Sequence, residues 1–187
     1  MDSEVFAQAT ARDLLADALP QRWAHVQGVA ERARTAIGVV ESDSRLLIDA
    51  SLLHDVGYAH PVVRTGFHSL DGARYLRDVG APARLVNLVA HHSCAALEAA
   101  LRGLSGELAQ YEDEGPTPVR DALWWADMTT TPTGGRTTLG GRVAEIQERY
   151  GPDDVVSRFI RLAVPELQAA VDRTEERLRA AGVDYEK

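Results

Sequence analysis

Residues 51–60, SLLHDVGYAH, end an apolar run on a histidine and an aspartate side by side, with a glycine two residues beyond. Leu52 and Leu53 have core character, and Gly57 suits the turn that closes a helix. A polar pair at the inner end of such a helix needs partners, because an imidazole or carboxylate taken from water without them is costly. Partners for His54 and Asp55 must therefore come from elsewhere in the chain.

Outward from that stretch the apolar spacing is helical. Trp23, Val26, Val29, Ala33, Ile37 and Val40 trace one stripe at three- and four-residue steps, predicting a helix over Pro20 to Val40 after a first one over Ser3 to Leu19. Asp43 or Ser44 caps a third helix that ends near Asp55. Ser69 to Val79, closed by Gly80, reads as a fourth, and Pro82 opens a fifth that runs to about His92. Ala95 to Tyr111 is helical with a break around Gly103 to Gly106, followed by the turn-rich acidic EDEGPTP, residues 112–118. Val119 to Met128 and Leu139 to Tyr150 are further helices, separated by the loop TTTPTGGRTTLGG, residues 129–141. Asp153 or Asp154 starts a last helical region to about Ala181, which Pro165 is expected to break or kink. No alternating strand pattern and no internal repeat interrupts this series, so the expected fold class is all-α, in a single domain.

Composition excludes several classes of function. With 45% hydrophobic residues, the 187-residue chain can bury a sizeable core in one domain. A net charge of -8 opposes a general grip on nucleic acid or anionic lipid, so neither is expected as a partner. Cys94 is the only cysteine, which rules out an internal disulfide or a Cys-rich zinc site and fits a reducing compartment. With no leader-like start and no run of membrane-spanning length, a cytoplasmic location is expected. Lys187 is the sole lysine, so neither Schiff-base chemistry nor a phosphate-loop lysine is available, and arginines must meet any anion.

The histidines are unevenly spread. All six, His25, His54, His60, His68, His91 and His92, lie in the first half of the chain. Alone, each reads as a half-buried hydrogen-bonded side chain. Together with Asp127 in ALWWADMTT, however, several helices each carry a histidine or aspartate to the edge of an apolar face. Meeting one another around a cation satisfies them all.

The runs RWAHV (22–26), LLHDVGY (52–58) and ALWWADMTT (122–130) resemble the His, His-Asp, Asp signature of the HD domain superfamily of metal-dependent phosphohydrolases. The resemblance covers about residues 20–130 and leaves flanking helices over 1–19 and 139–181. It implies that His25, His54, Asp55 and Asp127 are protein ligands of a divalent metal. TGFHSLDGARYLRDVG (65–80) and LVAHHS (88–93) resemble the additional histidine segments of some HD subfamilies, which adds His68, His91 and His92 to the implied metal ligands. Such subfamilies hold two ions, commonly iron, bridged by the aspartate of the His-Asp pair; here one ion with supporting histidines stays open beside two. His60 lies outside the pattern and reads as a surface histidine.

Imidazoles and carboxylates without thiolate suit Fe, Mn, Co, Ni or Mg. The implied activity is hydrolysis of a phosphoester or phosphoanhydride bond of a nucleotide or small phosphorylated metabolite by a metal-activated hydroxide, with His54, Asp55 and Arg22 as the catalytic group. Arg22 lies one turn before His25 and either reaches a metal-bound phosphate or is an exposed helix-start arginine. Arg64, Arg74 and Arg136 are the other candidate substrate-binding residues, and the Thr- and Gly-rich loop around Arg136 reads as a mobile segment and candidate lid. No GYP segment follows LVAHHS, which disfavours cyclic dinucleotides as substrate. Two other readings remain: a di-iron oxygenase acting on a small hydroxylated compound, with Tyr58 beside the pair, and a non-catalytic metal- or ligand-binding module. A homodimer is left open.

Overall fold

The apolar periodicity resolves into ten α-helices with short 3-10 turns between them in the computed structural model, which describes residues 3–185. The fold is all-α: among the described residues there is no strand, only an isolated antiparallel bridge between Thr130 and Arg136. None of the described helices is long and apolar enough to cross a membrane.

Helix α3 (Ser44–Leu53) is the central rod. Every residue from Leu47 to Leu53 is buried, as a helix surrounded on all sides requires, and it packs against α1 (Ser3–Leu15), α2 (Pro20–Arg34), α5 (Ala83–Ala90) and α8 (Pro118–Met128). The second rod is α8, buried throughout from Val119 to Met128. Thr117 caps its start by accepting from the Arg120 amide, and Pro118 occupies the first turn, where its missing N–H costs nothing. Asp121 on this rod is fully buried, and its two oxygens accept hydrogen bonds of 2.7 to 3.0 Å from Arg173 and Arg177 on α10 (Val155–Ala180). That charge-assisted fork ties the last helix to the centre of the protein.

Several element boundaries differ from those the sequence predicts. Helix α1 stops at Leu15 and α2 at Arg34, because Pro20 disfavours helical backbone at Leu19, and because the chain after Arg34 tightens into a 3-10 turn at Ile37–Val39. The expected fifth helix ends at Ala90, before the histidine pair; the break expected around Gly103 to Gly106 does occur, at Gly103, but the second piece is short, giving α6 (Ala95–Arg102) and α7 (Ser105–Leu108). Pro165 does not break α10, which runs unbroken from Val155 to Ala180. The proline lies on the exposed side, where carbonyls of a long helix tilt toward water, while Ile160, Ala163 and Leu167 hold the opposite face in the core.

Candidate metal centre

Each candidate ligand is placed by a local backbone feature. His25 projects from the buried face of α2, His54 is the C-cap of α3, and Asp55 follows it directly, ahead of a 3-10 turn over Val56–Tyr58. Gly57 in that turn is needed for close approach: a Cβ there would lie 1.9 Å from the His68 carbonyl oxygen and 2.7 Å from the Gly72 amide. The bare backbone lets the turn press against α4 (His68–Asp78), whose first residue is His68. The loop before α4 is fixed by buried Asp71, which accepts from the amides of Arg64, Thr65 and Gly66 at 2.9 to 3.0 Å. His92 comes from a 3-10 turn over His92–Cys94, and Asp127 from the last turn of α8.

These side chains form two adjoining groups, His25 with His54 and Asp127, and Asp55 with His68 and His92, each with donor atoms within 4.8 Å of one another. Asp55 faces both. Its Oδ2 is 3.5 Å from His54 Nε2 and 3.8 Å from His25 Nε2, while Oδ1 is 3.6 Å from His68 Nε2. Asp127 Oδ1 lies 3.1 Å from His25 Nε2, and its other oxygen accepts a 2.6 Å bond from Ser93. Ser93 and Cys94 have positive φ, 47° and 64°, a conformation uncommon for non-glycine residues that aims the Ser93 hydroxyl at Asp127.

The donor atoms fit a cation. A carbonyl can only accept, so the Nδ1 of His25, His54 and His92 must donate to the carbonyls of Thr131 (2.9 Å), Ser51 (2.8 Å) and Val89 (2.6 Å). In the neutral ring this leaves the Nε2 lone pair turned inward, the arrangement by which backbone orients metal-binding histidines. His54 Nε2 is buried without a hydrogen-bond partner, and His68 and His92 bring Nε2 to within 3.1 Å of each other. Converging lone pairs beside two carboxylates call for positive charge between them.

Part of that charge is built in. Arg22 Nη1 donates a 2.7 Å bond to Asp55 Oδ2, and the guanidinium lies 4.0 Å from the centroid of the Tyr58 ring. Burial would raise the Asp55 carboxyl, but Arg22 and the His54, His68 and His25 rings outweigh it and hold the group well below the usual range. Asp127 is likewise held low against its burial, by His25 above all. Burial, reinforced by His92, keeps the His68 ring well below the ordinary histidine value, and burial with His54 lowers the His92 ring. The carboxylates are ionised and the His68 and His92 rings neutral near pH 7, the states in which they bind metals. Tyr58 stacks on His68 with ring centroids 4.3 Å apart, and burial pushes its phenol well above the usual tyrosine value.

Not every predicted site residue joins this cluster. His91 is turned away: its Nε2 donates to the Tyr111 carbonyl at 2.9 Å, because the helix ends at Ala90 and the chain then reverses through Ser93 and Cys94. Only His92 of the pair faces the other ligands. Arg64 pairs on the surface with Asp78, Arg74 with Glu107, and Arg136 is exposed with its guanidinium 3.5 Å from the Tyr185 carbonyl, so none of the three lines the cleft at the metal cluster. His60 is exposed. The Thr- and Gly-rich loop is not a free lid. Thr131 and Gly135 bond to each other through their backbones, and Gly134 packs so tightly on α2 that a Cβ on Gly28 would lie 2.4 Å from it. Its role is to hold the Thr131 carbonyl under His25.

The cleft over the cluster contains residues the sequence pattern did not mark. Arg142 and Arg149 on α9 (Leu139–Tyr150) border it, with Tyr150, Glu98 and an apolar wall that includes Ile146 and Phe159. Burial pushes the Glu98 carboxyl up, against the pull of its partner Arg102. Arg142 is buried, with Nη1 donating to Glu145 at 2.5 Å and Nε without a partner among the described residues. The signal for them was faint, an Arg–Glu–Arg spacing on an amphipathic helix that reads as a solvated face.

Among protein families, the model of the HD domain matches residues 22–128, more than half of the chain. That span contains all the donors of the two groups, and HD domains bind divalent metals. No curated protein and no solved structure matches the chain.

Proposed function

We infer that this chain, which belongs to the HD domain family, is a metal-dependent phosphohydrolase that cleaves a phosphoester or phosphoanhydride bond of a nucleotide or small phosphorylated metabolite. Family membership implies metal-dependent hydrolase chemistry in general. The observation that carries the finer reading is Asp55, which turns one carboxylate oxygen to each ligand group. His25, His54 and Asp127 would hold one divalent ion, His68 and His92 a second, and Asp55 would serve both. Ions there would lower the pKa of a coordinated water and withdraw charge from a phosphoryl oxygen.

The protein's own groups supply orientation and charge. Arg22 stands beside Asp55, where its guanidinium can meet a phosphoryl oxygen. Ser93 and the Thr131, Ser51 and Val89 carbonyls fix the ligands before any substrate arrives. The cleft is small, about 60 Å³, which suits a phosphoryl group carrying a compact substituent.

One observation favours a second reading, a di-iron oxygenase: the Tyr58 phenol is stacked on the candidate ligand His68, next to a donor set free of sulfur. A screen for phosphate release from phosphoesters and nucleotides with Mn, Fe or Mg, run beside measurement of bound metal, separates the two. Phosphate release supports the hydrolase; inactivity on every phosphoester together with oxygen uptake on a polyol would replace it with the oxygenase.

A further inference from the structure

Helix α9 lies outside the residues matched by the HD domain model, yet it closes one side of the cleft. Arg142 is its most unusual member. An arginine only 5% exposed must have its five donors satisfied, because an unmet buried charge is among the most costly features a protein can carry. Glu145 takes one Nη1 bond, and Nε is buried with no partner, on a side chain that lines the cleft. Arg142 and Asp127 line the same cleft, so the guanidinium and the ligand cluster face one space. Arg22 borders the same cleft through its bond to Asp55. Three cations, Arg22 from α2 and Arg142 and Arg149 from α9, thus border a narrow space beside the candidate metal ligands.

We propose that Arg142 is a substrate-binding residue, whose guanidinium receives the non-bridging oxygens of the substrate's phosphoryl group in the cleft it shares with Arg22. This assignment rests on the phosphohydrolase reading for the identity of the anion, and it makes α9, beyond the matched region, a determinant of what the site accepts. A forked planar donor suits a tetrahedral oxyanion, and a buried site keeps such a bond strong. Ile146, one turn after Arg142 on the same helix, and Phe159 on α10 add an apolar wall. The group attached to the phosphoryl is therefore expected to be compact and to present an apolar face.

The test is titration of inorganic phosphate into the metal-loaded full-length protein by calorimetry, for wild type, Arg142→Gln and Arg142→Lys, with metal content and melting temperature measured on each. Wild type is expected to bind phosphate. Arg142→Gln should weaken that binding by about tenfold or more, in line with loss of a charge-assisted bond, at unchanged metal content. Arg142→Lys should fall between them, since it keeps the charge and loses the fork. Phosphate binding equal to wild type in both variants overturns the assignment, as does a wild type that binds no phosphate. Loss of metal from Arg142→Gln in parallel with phosphate also overturns it, since the arginine would then act through Asp127. Should Arg142→Gln fail to fold, Arg142→Lys decides by the same criterion. If wild type releases phosphate from no ester while Arg142→Gln still binds phosphate less tightly, the hydrolase reading fails and the anion site stands.

Discussion

Arg22, partly exposed, forms an ion pair with buried Asp55, Nη1 to Oδ2 at 2.7 Å, at the point where the two candidate ligand groups adjoin. In the absence of a metal, Arg22 is the permanent cation that compensates Asp55. Arg22→Gln should therefore destabilise the metal-free protein by about 1.5–3 kcal/mol, the range for losing a hydrogen bond to a charged group. Added metal should restore more stability to this variant than to wild type, because it supplies the missing charge. Calorimetric melting with and without Mn checks this; equal metal-induced shifts in the two proteins would show that Arg22 does not compensate Asp55.

Asp55→Ala removes the one carboxylate that faces both groups. Metal binding and turnover should be lost while helical content by circular dichroism stays close to wild type, because Asp55 lies beyond the His54 cap of α3 and is not part of that helix. Retention of bound metal in this variant would remove Asp55 from the centre of the site.

The neighbours His91 and His92 should respond oppositely. His92→Ala removes an inward Nε2 and should lower bound metal from two ions toward one. His91→Ala should leave the metal content unchanged and lower stability by about 1–3 kcal/mol, as the Tyr111 carbonyl loses its buried donor. Metal stoichiometry by elemental analysis decides, and equal losses from the two variants would place His91 back among the ligands.

That contrast marks how far the sequence could be read. LLHDVGY, RWAHV and ALWWADMTT expose their roles because a polar residue at the edge of an apolar helical stripe needs a partner, and the stripe is visible in one dimension. Which of His91 and His92 turns inward is set by left-handed backbone at Ser93 and Cys94, residue types that do not advertise it. Arg142 was hidden for a different reason: its burial depends on how α9 and α10 lie over the cleft, a packing relation between segments far from the ligands in the chain. Arg64 and Arg74 show the converse, since nearness in sequence to His68 did not bring their charges to the cleft.

Acid should weaken the metal-free protein in two stages. Burial first, then neighbouring rings, hold His68 and His92 below the ordinary value of 6.5, so the folded state resists protons that the unfolded chain accepts. Unfolded chains then bind more protons below pH 6.5, and stability falls as pH drops through that value. Asp55 and Asp127 are held below the usual 3.8, so their contribution persists through the first stage and is lost only at lower pH. Melting of chelator-treated protein at about pH 7.5 and about pH 5.5 should show the first loss, reduced in His92→Gln. A melting temperature flat over that interval would mean that these rings do not stay neutral in the fold.

Gly57→Ala tests how Asp55 and His68 are brought together. The atoms nearest the added methyl carbon would be backbone, the His68 oxygen at 1.9 Å and the Gly72 amide at 2.7 Å, so side-chain rotation cannot relieve the contact. The 3-10 turn and α4 must separate, at a cost of about 1–3 kcal/mol or more. Because His68 heads α4 and Asp55 leads into the turn, that separation opens the second ligand group while leaving His25, His54 and Asp127 in place. The variant should keep one ion and lose the other. Gly38→Ala is the matched control: a Cβ there meets nothing within 4 Å, and metal content should be that of wild type. Two bound ions in Gly57→Ala would show that the close contact of turn and helix is not what assembles the second group.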